Sequence, residues 1–427
     1  MTWWLLGATV AVIMIIILNK ASKVRPEGVI QPVRSLSAAD KKSLLPDNDV
    51  SESASTSTAP HPHTRGQSSK MPLWMREYFQ FHTEQRKSAD EPKYLVVSCI
   101  PTLKGGCGGT ADRLKPIPYY LLLANRSRRV LLIRWTKPCP LENWLQPLDG
   151  GIDWRAPASV QHALDSTKGV DIKGSTGTNG LLRGDLDSKQ IVTIKLQVTD
   201  GCMDLYSKTI GAAALDFSEF INLYGDMFRS MFAPVPTIAD SMQKTMKRLK
   251  LEPGKYVSAH LRARHPNTAR RHVAKSVDKE GGFKLEGSFR KQIYDLATNA
   301  VNCAGYVSPT GPIYFASDSH DAVRYIVNES PFAQPGSGIV VSGNVQEEEP
   351  LHLDTPDFKK HKCDAFNSVF EDLLILGSSK CVVVGCGGYG RFGQLLSFNS
   401  SCRARHQHYN GAPEFNGKKN ALCPSLL

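Results

Sequence analysis

The sequence predicts an α/β fold built on parallel, doubly wound sheets, and two observations support this prediction. In the second half of the chain, short apolar runs alternate with helical patterns, which is typical of parallel sheets covered by helices. In the first half, the apolar run Tyr94–Cys99 precedes a glycine-rich loop, a helical stretch and a second strand at Val130–Trp135. Because Pro116 and Pro118 would disrupt a helix interior, we expect this helix to begin near them.

The other predicted elements continue the alternation. They are a strand at 191–198, helices at 217–232 and 238–249, a strand at 255–261, a helix at 289–304, a strand at 313–316, a helix at 320–328, a strand at 339–342, a helix at 363–376 and a strand at 381–384. The turn Glu252-Pro253-Gly254 predicts a boundary between two lobes, at 91–252 and 253–427. Ligands bind beyond the carboxyl ends of parallel strands, so the loops after the strands are the candidate functional sites.

Size and charge limit the classes of function. The chain has 427 residues, 41% of them hydrophobic, which is enough for two ordinary domains and additional unstructured length. Its 52 Lys and Arg against 40 Asp and Glu give a net charge of +12, which suits a nucleotide diphosphate, a phosphorylated glycan or a membrane surface. The basic residues are scattered and no basic stretch is interleaved with aromatics, so we do not expect a nucleic-acid partner.

The N-terminus predicts a membrane anchor followed by a stem. Residues 2–18 are apolar and uncharged, which just suffices to span a thin bilayer. A cleaved signal peptide would need a positive N-terminal region and a small-residue cleavage site, and both are poorly matched. We therefore predict an uncleaved signal anchor at 1–20. Residues 21–90 are predicted to form a flexible, disordered stem, because the part up to about residue 70 is rich in Ser, Thr, Pro and Lys.

Cysteines and sequons are compatible with an oxidising, secretory compartment. The ten cysteines are too sparse for a disulfide scaffold and contain no zinc-type CxxC pair. Two to four disulfides and a set of reduced buried cysteines are both compatible with this number. The cysteines late in the chain that are candidates for pairing are Cys363, Cys381, Cys386, Cys402 and Cys423. Candidate N-glycosylation sites are Asn125, Asn328 and Asn399.

The first candidate site is the glycine-rich loop directly after the first strand. It contains Gly106, Gly108, Gly109, Asp112 and Arg113. Glycines let the backbone approach a ligand, and a helix start offers N–H groups to a phosphate or a sugar hydroxyl. The loop matches neither an NTP P-loop nor a dinucleotide fingerprint. A tight turn without a ligand is the alternative.

Two further candidate sites follow strands of the second half. His260, Arg262 and Arg264 alternate at a strand end, which places them on one side, where a guanidinium can bind a diphosphate in bidentate fashion. The alternative is a pair of solvated arginines. After the strand at 381–384, a second glycine-rich loop leads into a helix that contains Arg391, an arrangement suited to an anion. Asp372, on the preceding helix, is either a ligand carboxylate or a solvated residue.

Together these motifs resemble a known family. The HxR segment, the strand end Ala316-Ser317-Asp318-Ser319, the D-L-x-x-L-G motif from Asp372 and the FG of the last glycine-rich segment look like the GDP-fucose-dependent O-, α1,2- and α1,6-fucosyltransferase superfamily. The resemblance covers roughly residues 94–403, and 130–157 looks like the corresponding segment of plant and algal relatives. It implies a GT-B fold, in which two Rossmann-like lobes face a cleft, and inverting transfer without a metal or other cofactor.

The resemblance also implies roles for individual residues. His260 and Asp372 would contact the guanine or ribose, Arg262 the β-phosphate as the catalytic residue, and Asp318 would shape the donor cleft. The diphosphate would meet Gly390, Arg391 and Phe392. The sugar and the acceptor, a glycan or glycoprotein, would face Gly106, Gly108, Gly109, Asp112 and Arg113. The resemblance identifies no general base, and Asp112 is a weak candidate.

The sequence departs from the family pattern at two points, which leaves alternatives open. Many relatives continue HxR with Arg or Gly and an acid, whereas Ala263-Arg264-His265-Pro266 follows here. Gly390 and Arg391 stand where serine hydroxyls are often found. The alternatives are a GT-B transferase that uses another nucleotide sugar and a catalytically inactive lumenal protein that binds a glycan or nucleotide.

We predict a single-pass protein of the Golgi or ER membrane whose body is lumenal. Lys20, Lys23 and Arg25 follow the span, and the positive-inside tendency would leave the body cytoplasmic. A large downstream domain can translocate despite such a flank. We therefore expect the body to be protected from protease in intact microsomes, and complete digestion would show that the basic flank sets the topology.

Overall fold

A computed structural model describes much of the chain between residues 71 and 406. The described ranges are 71–88, 92–100, 107–166, 169–172, 179–195, 217–264, 287–345, 351–353, 358–399, 402 and 404–406. They belong to one compact unit, 60–427. The predicted anchor at 1–20 lies outside the described residues, and within those residues no helix combines the length and apolarity needed to cross a bilayer.

Part of the predicted stem is helical. The structure places helix α1 at Leu73–Lys87, so the prediction of a flexible stem extending to residue 90 is wrong. The apolar spacing of Met75, Tyr78 and Phe79 turns one face of α1 to the core, where all three are buried. The Tyr78 hydroxyl donates to the Arg129 carbonyl (3.0 Å) and accepts from the Leu131 N–H (2.9 Å), which joins α1 to the first sheet.

The first sheet confirms the parallel strands predicted for the first half. It has the order β2-β1-β5-β4, and every neighbouring pair is parallel. The strands are β1 Tyr94–Cys99, β2 Val130–Trp135, β4 Val170–Ile172 and β5 Ile191–Lys195. The predicted continuation of β5 to residue 198 lies outside the described residues. Helices α2 Thr110–Leu114 and α3 Ile117–Arg126 connect β1 to β2, and α3 begins at the prolines as predicted.

The middle of the chain forms helices and a small hairpin. The bounds are β3 Leu145–Pro147, α4 Ala158–Asp165, α5 Phe217–Met231, β6 Phe232–Pro234 and α6 Pro236–Arg248. Strands β3 and β6 are antiparallel. The predicted helices at 217–232 and 238–249 are thus present within two residues of their expected ends.

The second sheet confirms the predicted α/β pattern of the second half. Its order is β10-β7-β8-β9, again entirely parallel. Its strands are β7 Val257–Leu261, β8 Ile313–Ser317, β9 Val341–Ser342 and β10 Cys381–Val384. The helices of this half are α7 Gly287–Val307, α8 His320–Arg324, α9 Asn367–Gly377 and α10 Gly388–Leu396. The predicted boundary at 252 falls between the two sheets. This lobe boundary remains a prediction.

Two helices that connect strands of the second sheet differ from the prediction at one end. The predicted helix at 320–328 is α8 followed by a π-helical turn at Tyr325–Glu329, and Pro331 lies just beyond it. The predicted helix at 363–376 begins as a 3-10 turn at Cys363–Phe366 before α9. Helix ends commonly tighten or widen in this way, because their terminal backbone groups lack intrahelical partners.

Aromatic packing joins α9 and α10 to the first half of the chain. Phe370 of α9 stacks on Trp144, with ring centroids 4.5 Å apart, and the Trp144 indole N–H donates to Asn367 (3.1 Å). A disulfide between Cys139 and Cys363 also links these two parts of the chain. The two halves therefore share one hydrophobic core rather than meeting only at a polar cleft.

Disulfides account for several of the cysteines. Besides the pair across the halves, Cys99 bonds Cys107 and Cys381 bonds Cys402, and Cys303 is also disulfide-bonded. Of the late candidates, Cys363, Cys381 and Cys402 thus form disulfides, whereas Cys386 is a buried thiol. Cys423 lies outside the described residues.

Candidate functional site

A pocket of about 250 Å³ lies where segments following strands of both sheets meet. The first half contributes Gly109 to Asp112, after β1. The second half contributes the ends of β7 and β8, the segment 351–353, and residues of α9 and α10. The pocket therefore occupies the position that the doubly wound pattern predicts for a ligand site.

The loop after β1 is shaped by two glycines and one carboxylate. Gly108 has φ +73°, and a β-carbon there would lie 2.6 Å from Oδ2 of Asp112, so a side chain is excluded. The Gly109 N–H donates to the same carboxylate (2.9 Å), which caps helix α2. Of the predicted acceptor-side residues, Gly109 and Asp112 line the pocket, whereas Gly106 lies outside the described residues.

Arg113 is a buried structural arginine. Its side chain is fully buried, and its guanidinium donates to the carbonyls of Gly108 (2.8 Å), Leu353 (3.1 Å) and Lys137. The group also lies 4.8 Å from the centre of the Trp135 ring. The expectation that Arg113 faces an acceptor is therefore wrong. Sequence cannot distinguish this buried cation from an exposed one, because its partners are backbone carbonyls, one of them 240 residues away.

Strand β7 presents its alternating residues to the pocket as predicted. His260, Arg262 and Arg264 all line it. Oδ2 of Asp318 lies 3.4 Å from Nε of Arg262, and Oδ1 accepts the backbone N–H groups of Ala263 (2.6 Å) and Arg264 (3.3 Å). Asp318 thus fixes the backbone after β7 and places a carboxylate beside the Arg262 guanidinium.

His260 is held as a neutral imidazole. Burial, together with Arg262 and His406, lowers the pKa of His260 to about 3. Its carbonyl oxygen lies 2.9 Å from Nε2 of the buried His406. A β-carbon on Gly390 of α10 would approach Nδ1 of His260 to 2.6 Å, so this helix packs closely only because residue 390 is a glycine. A ligand at His260 would therefore meet an uncharged ring.

Asp372 is the titratable carboxyl of the pocket. The Tyr314 hydroxyl donates to its Oδ1 (2.6 Å). Burial raises the pKa of Asp372 to about 7, the Tyr314 hydrogen bond acts in the opposite direction, and nearby Glu371 raises the pKa further. Near neutral pH this carboxyl is therefore poised between its acceptor and donor forms.

The second glycine-rich loop reaches the pocket at its beginning. Gly388 and Tyr389 line the pocket, and Gly387 has φ +86°, with Cδ of Arg262 3.2 Å from where its β-carbon would be. Phe392, in contrast, is fully buried in the core, because its ring packs on the first half of the chain. Arg391 and Gly390 are not among the lining residues, so the structure does not support the expected diphosphate contacts of these three residues.

Sequence reasoning missed several pocket residues. Leu351, His352, Leu353 and Val369 lie outside every predicted motif, whereas Thr110, Ala111, Ala316, Ser317, Gly388 and Tyr389 lie within the motifs but were assigned no contact. Most are ordinary pocket walls, but His352 carries a titratable ring. It belongs to a segment with no recognisable periodicity, so no sequence signal places it at the pocket.

The described residues contain no cluster of three or more metal-ligating side chains. One Asp-x-Asp sequence of the kind that can hold a metal, Asp185-Leu186-Asp187, does not line the pocket, and Asp185 pairs with Arg183 (2.7 Å). Among the candidate glycosylation sites, Asn328 and Asn399 are exposed and Asn125 is half-buried.

Comparison with known proteins finds solved structures with a similar fold. No protein-family model matches the chain, and no curated protein matches it in sequence. A mutant of the fucosyltransferase FUT1 of Arabidopsis thaliana, solved in complex with GDP, is similar with a TM-score of 0.50 and 10% identity, covering 78% of this chain and 78% of that chain. The chain has a fucosyltransferase-like fold. The predicted resemblance is thus confirmed at the level of the fold.

A bacterial fucosyltransferase is also matched. The α1,6-fucosyltransferase NodZ, soaked with GDP-fucose, is 12% identical with a TM-score of 0.38, covering 71% of this chain and 93% of that chain. A second structure of NodZ, from Bradyrhizobium, is 12% identical with a TM-score of 0.37 and the same coverage.

The raised pKa of Asp372 predicts a pH-dependent stability. Between about pH 4 and pH 7 the folded protein retains a proton that the unfolded chain releases, so the contribution of this group to stability falls as the pH rises, and the penalty is complete above pH 7. Asp372→Asn carries no charge. We expect it to be more stable than the wild type by about 1 to 4 kcal/mol at pH 8, with a smaller difference at pH 5.

Thermal unfolding of both proteins at the two pH values measures this effect. Asp321→Asn is the matched control, since it removes a carboxylate outside the pocket that pairs with Arg324. An equal difference between Asp372→Asn and the wild type at pH 5 and pH 8 would contradict the assignment.

Proposed function

We propose that the protein is a glycosyltransferase that transfers fucose from GDP-fucose to a hydroxyl of a glycan or glycoprotein, with inversion. The observation that carries the proposal is the pocket in which Arg262, Asp318 and Asp372 of the second half face Gly109 and Asp112 of the first half. The fucosyltransferase-like fold supports the same conclusion.

The donor would bind against the second half of the chain. Arg262 and Arg264 bring positive charge to the pocket, which suits a diphosphate. The ionised form of Asp372 would accept hydrogen bonds from the guanine N–H groups. This arrangement supports GDP over nucleotides that lack such donors.

The expected chemistry is an in-line displacement at C1 of fucose. The acceptor oxygen attacks from the side opposite the diphosphate, the bond from C1 to the phosphate oxygen breaks, and GDP departs with the electron pair. Negative charge builds on the departing phosphate, next to the guanidinium that Asp318 holds in place. A preorganised cation at this point stabilises the transition state more than the bound donor.

We further propose that the body lies in the lumen of the Golgi or ER, anchored by residues 1–20. The disulfides support an oxidising compartment, since such bonds persist there and are rare in the cytosol. The sequons at Asn328 and Asn399 lie on exposed residues, which is compatible with glycan attachment.

Calorimetry and donor turnover test the proposed activity. We expect GDP to bind, GDP-fucose to be turned over in preference to other nucleotide sugars, and EDTA to leave turnover unchanged, because Arg262 and backbone N–H groups would replace a metal at the diphosphate. Tight GDP binding without turnover on any acceptor of a glycan panel would favour the inactive binding protein. Turnover of a different nucleotide sugar alone, or loss of turnover in EDTA, would contradict the donor or the charge assignment.

Arg262 should matter more for turnover than for binding. Loss of one preorganised donor to a developing charge typically costs about 100- to 1000-fold in turnover, and we expect this loss in Arg262→Ala. Arg262→Lys should not restore turnover, because lysine keeps the charge but lacks the planar two-donor fork. Arg324→Ala is the matched control, since Arg324 also pairs with a carboxylate, Asp321, but lies outside the pocket.

Turnover and melting temperature are measured together in the three variants. If Arg262 serves only as the ion-pair partner of Asp318, Arg262→Lys would retain most of the turnover and Arg262→Ala would mainly lower the melting temperature. That result would remove Arg262 from the mechanism.

A further inference from the structure

His352 is a titratable side chain of the pocket that the proposed donor contacts do not use. The segment 351–353 lines the pocket next to the loop after β1. A β-carbon on Gly109 would lie 2.9 Å from Nε2 of His352 and 3.8 Å from Oδ2 of Asp112, so the imidazole and the carboxylate flank the same point of the backbone. The absence of a side chain at position 109 makes room for the ring.

The position of His352 is fixed by its neighbour. Leu353 is buried, and its carbonyl accepts a hydrogen bond from Arg113 (3.1 Å), which also binds the carbonyl of Gly108 (2.8 Å). One buried guanidinium therefore ties the segment that carries His352 to the glycine-rich loop. Such support from a second layer of residues is what holds a reacting group within reach of its substrate.

The environment of His352 suits proton transfer, whereas that of His260 does not. His352 is exposed, but His260 is buried and its pKa is lowered to about 3. The Asp112 carboxylate flanks Gly109 as the ring does, so it brings negative charge to the same part of the pocket. Asp112 itself already accepts the Gly109 N–H, and it serves as the cap of α2.

We propose that His352 is the general base that takes the proton of the acceptor hydroxyl. The inference rests on the proposed function and extends it to the acceptor side. As the acceptor oxygen forms its bond to C1 of fucose, its proton moves to a ring nitrogen of His352, and the electron pair of the broken C1–O bond leaves with GDP. Asp112 is then a positioning residue, which stabilises the imidazolium and holds the loop.

The test uses the purified full-length chain with GDP-fucose as the probe and water as the acceptor, so that no glycan needs to be known. Calorimetry measures GDP affinity, and GDP release measures turnover. We expect His352→Ala and His352→Gln each to lower turnover by about 100-fold or more, in the range of general-base catalysis, with GDP affinity changed by less than about threefold. Added imidazole should restore part of the turnover of His352→Ala, because it fits the space left by the ring.

His361→Ala is the matched control, since His361 is an exposed histidine outside the pocket whose ring lies 6.2 Å from that of Phe366. We expect it to match the wild type. If the wild type turns over GDP-fucose and His352→Gln retains that activity, the inference is wrong and the proposed function stands. An equal loss of turnover and GDP affinity would make His352 a binding residue and also overturn the inference. A wild type that neither binds GDP nor releases it from GDP-fucose would overturn the proposed function, and the inference with it.

Discussion

The pocket depends on the packing of α9 and α10 against the first half of the chain. Phe392 meets the rings of Phe228 and Tyr224 edge-on, at 5.4 and 6.4 Å, and Phe370 stacks on Trp144. These buried aromatic contacts bring together two segments that are far apart in sequence, and burying each ring contributes about 1.5 to 3 kcal/mol. Since α9 carries Asp372 and α10 begins with the loop at Gly388, the same contacts place one wall of the pocket opposite Asp112.

Two charged side chains bind the backbone of the loops at the ends of the strands. Arg113 ties the loop after β1 to the segment 351–353, and Asp318 ties the end of β8 to the backbone after β7. A buried charge is costly unless its hydrogen bonds are satisfied, and both groups bind main-chain atoms. These hydrogen bonds hold the loops in place, as the proposed role of Arg262 requires.

The sequence predicted what depends on local pattern and missed what depends on distant partners. Strands β1, β2, β7 and β10 follow from apolar runs between turns, and alternation along β7 correctly put His260 and Arg262 on one side. The predicted acceptor-side role of Arg113 is wrong, because partners far away in the chain, such as the Leu353 carbonyl, bury its side chain. Phe392 was likewise assigned to the site, although its neighbours in α10 and not its own ring reach the pocket. The sequence does not predict helix α1, because this helix follows a long polar stretch and has few apolar residues on its buried face.

Under the proposed function, the two histidines of the pocket would serve different parts of the reaction. His260 lies under α10, beside Arg262 and His406, where burial keeps its ring neutral and limits it to hydrogen bonding. His352 is exposed, and its ring flanks Gly109 together with the Asp112 carboxylate. In the proposed reaction, Arg262 and Arg264 would meet the departing diphosphate, and His352 would take the proton of the acceptor. An inverting displacement needs this separation, because the attacking and departing oxygens lie on opposite faces of the sugar.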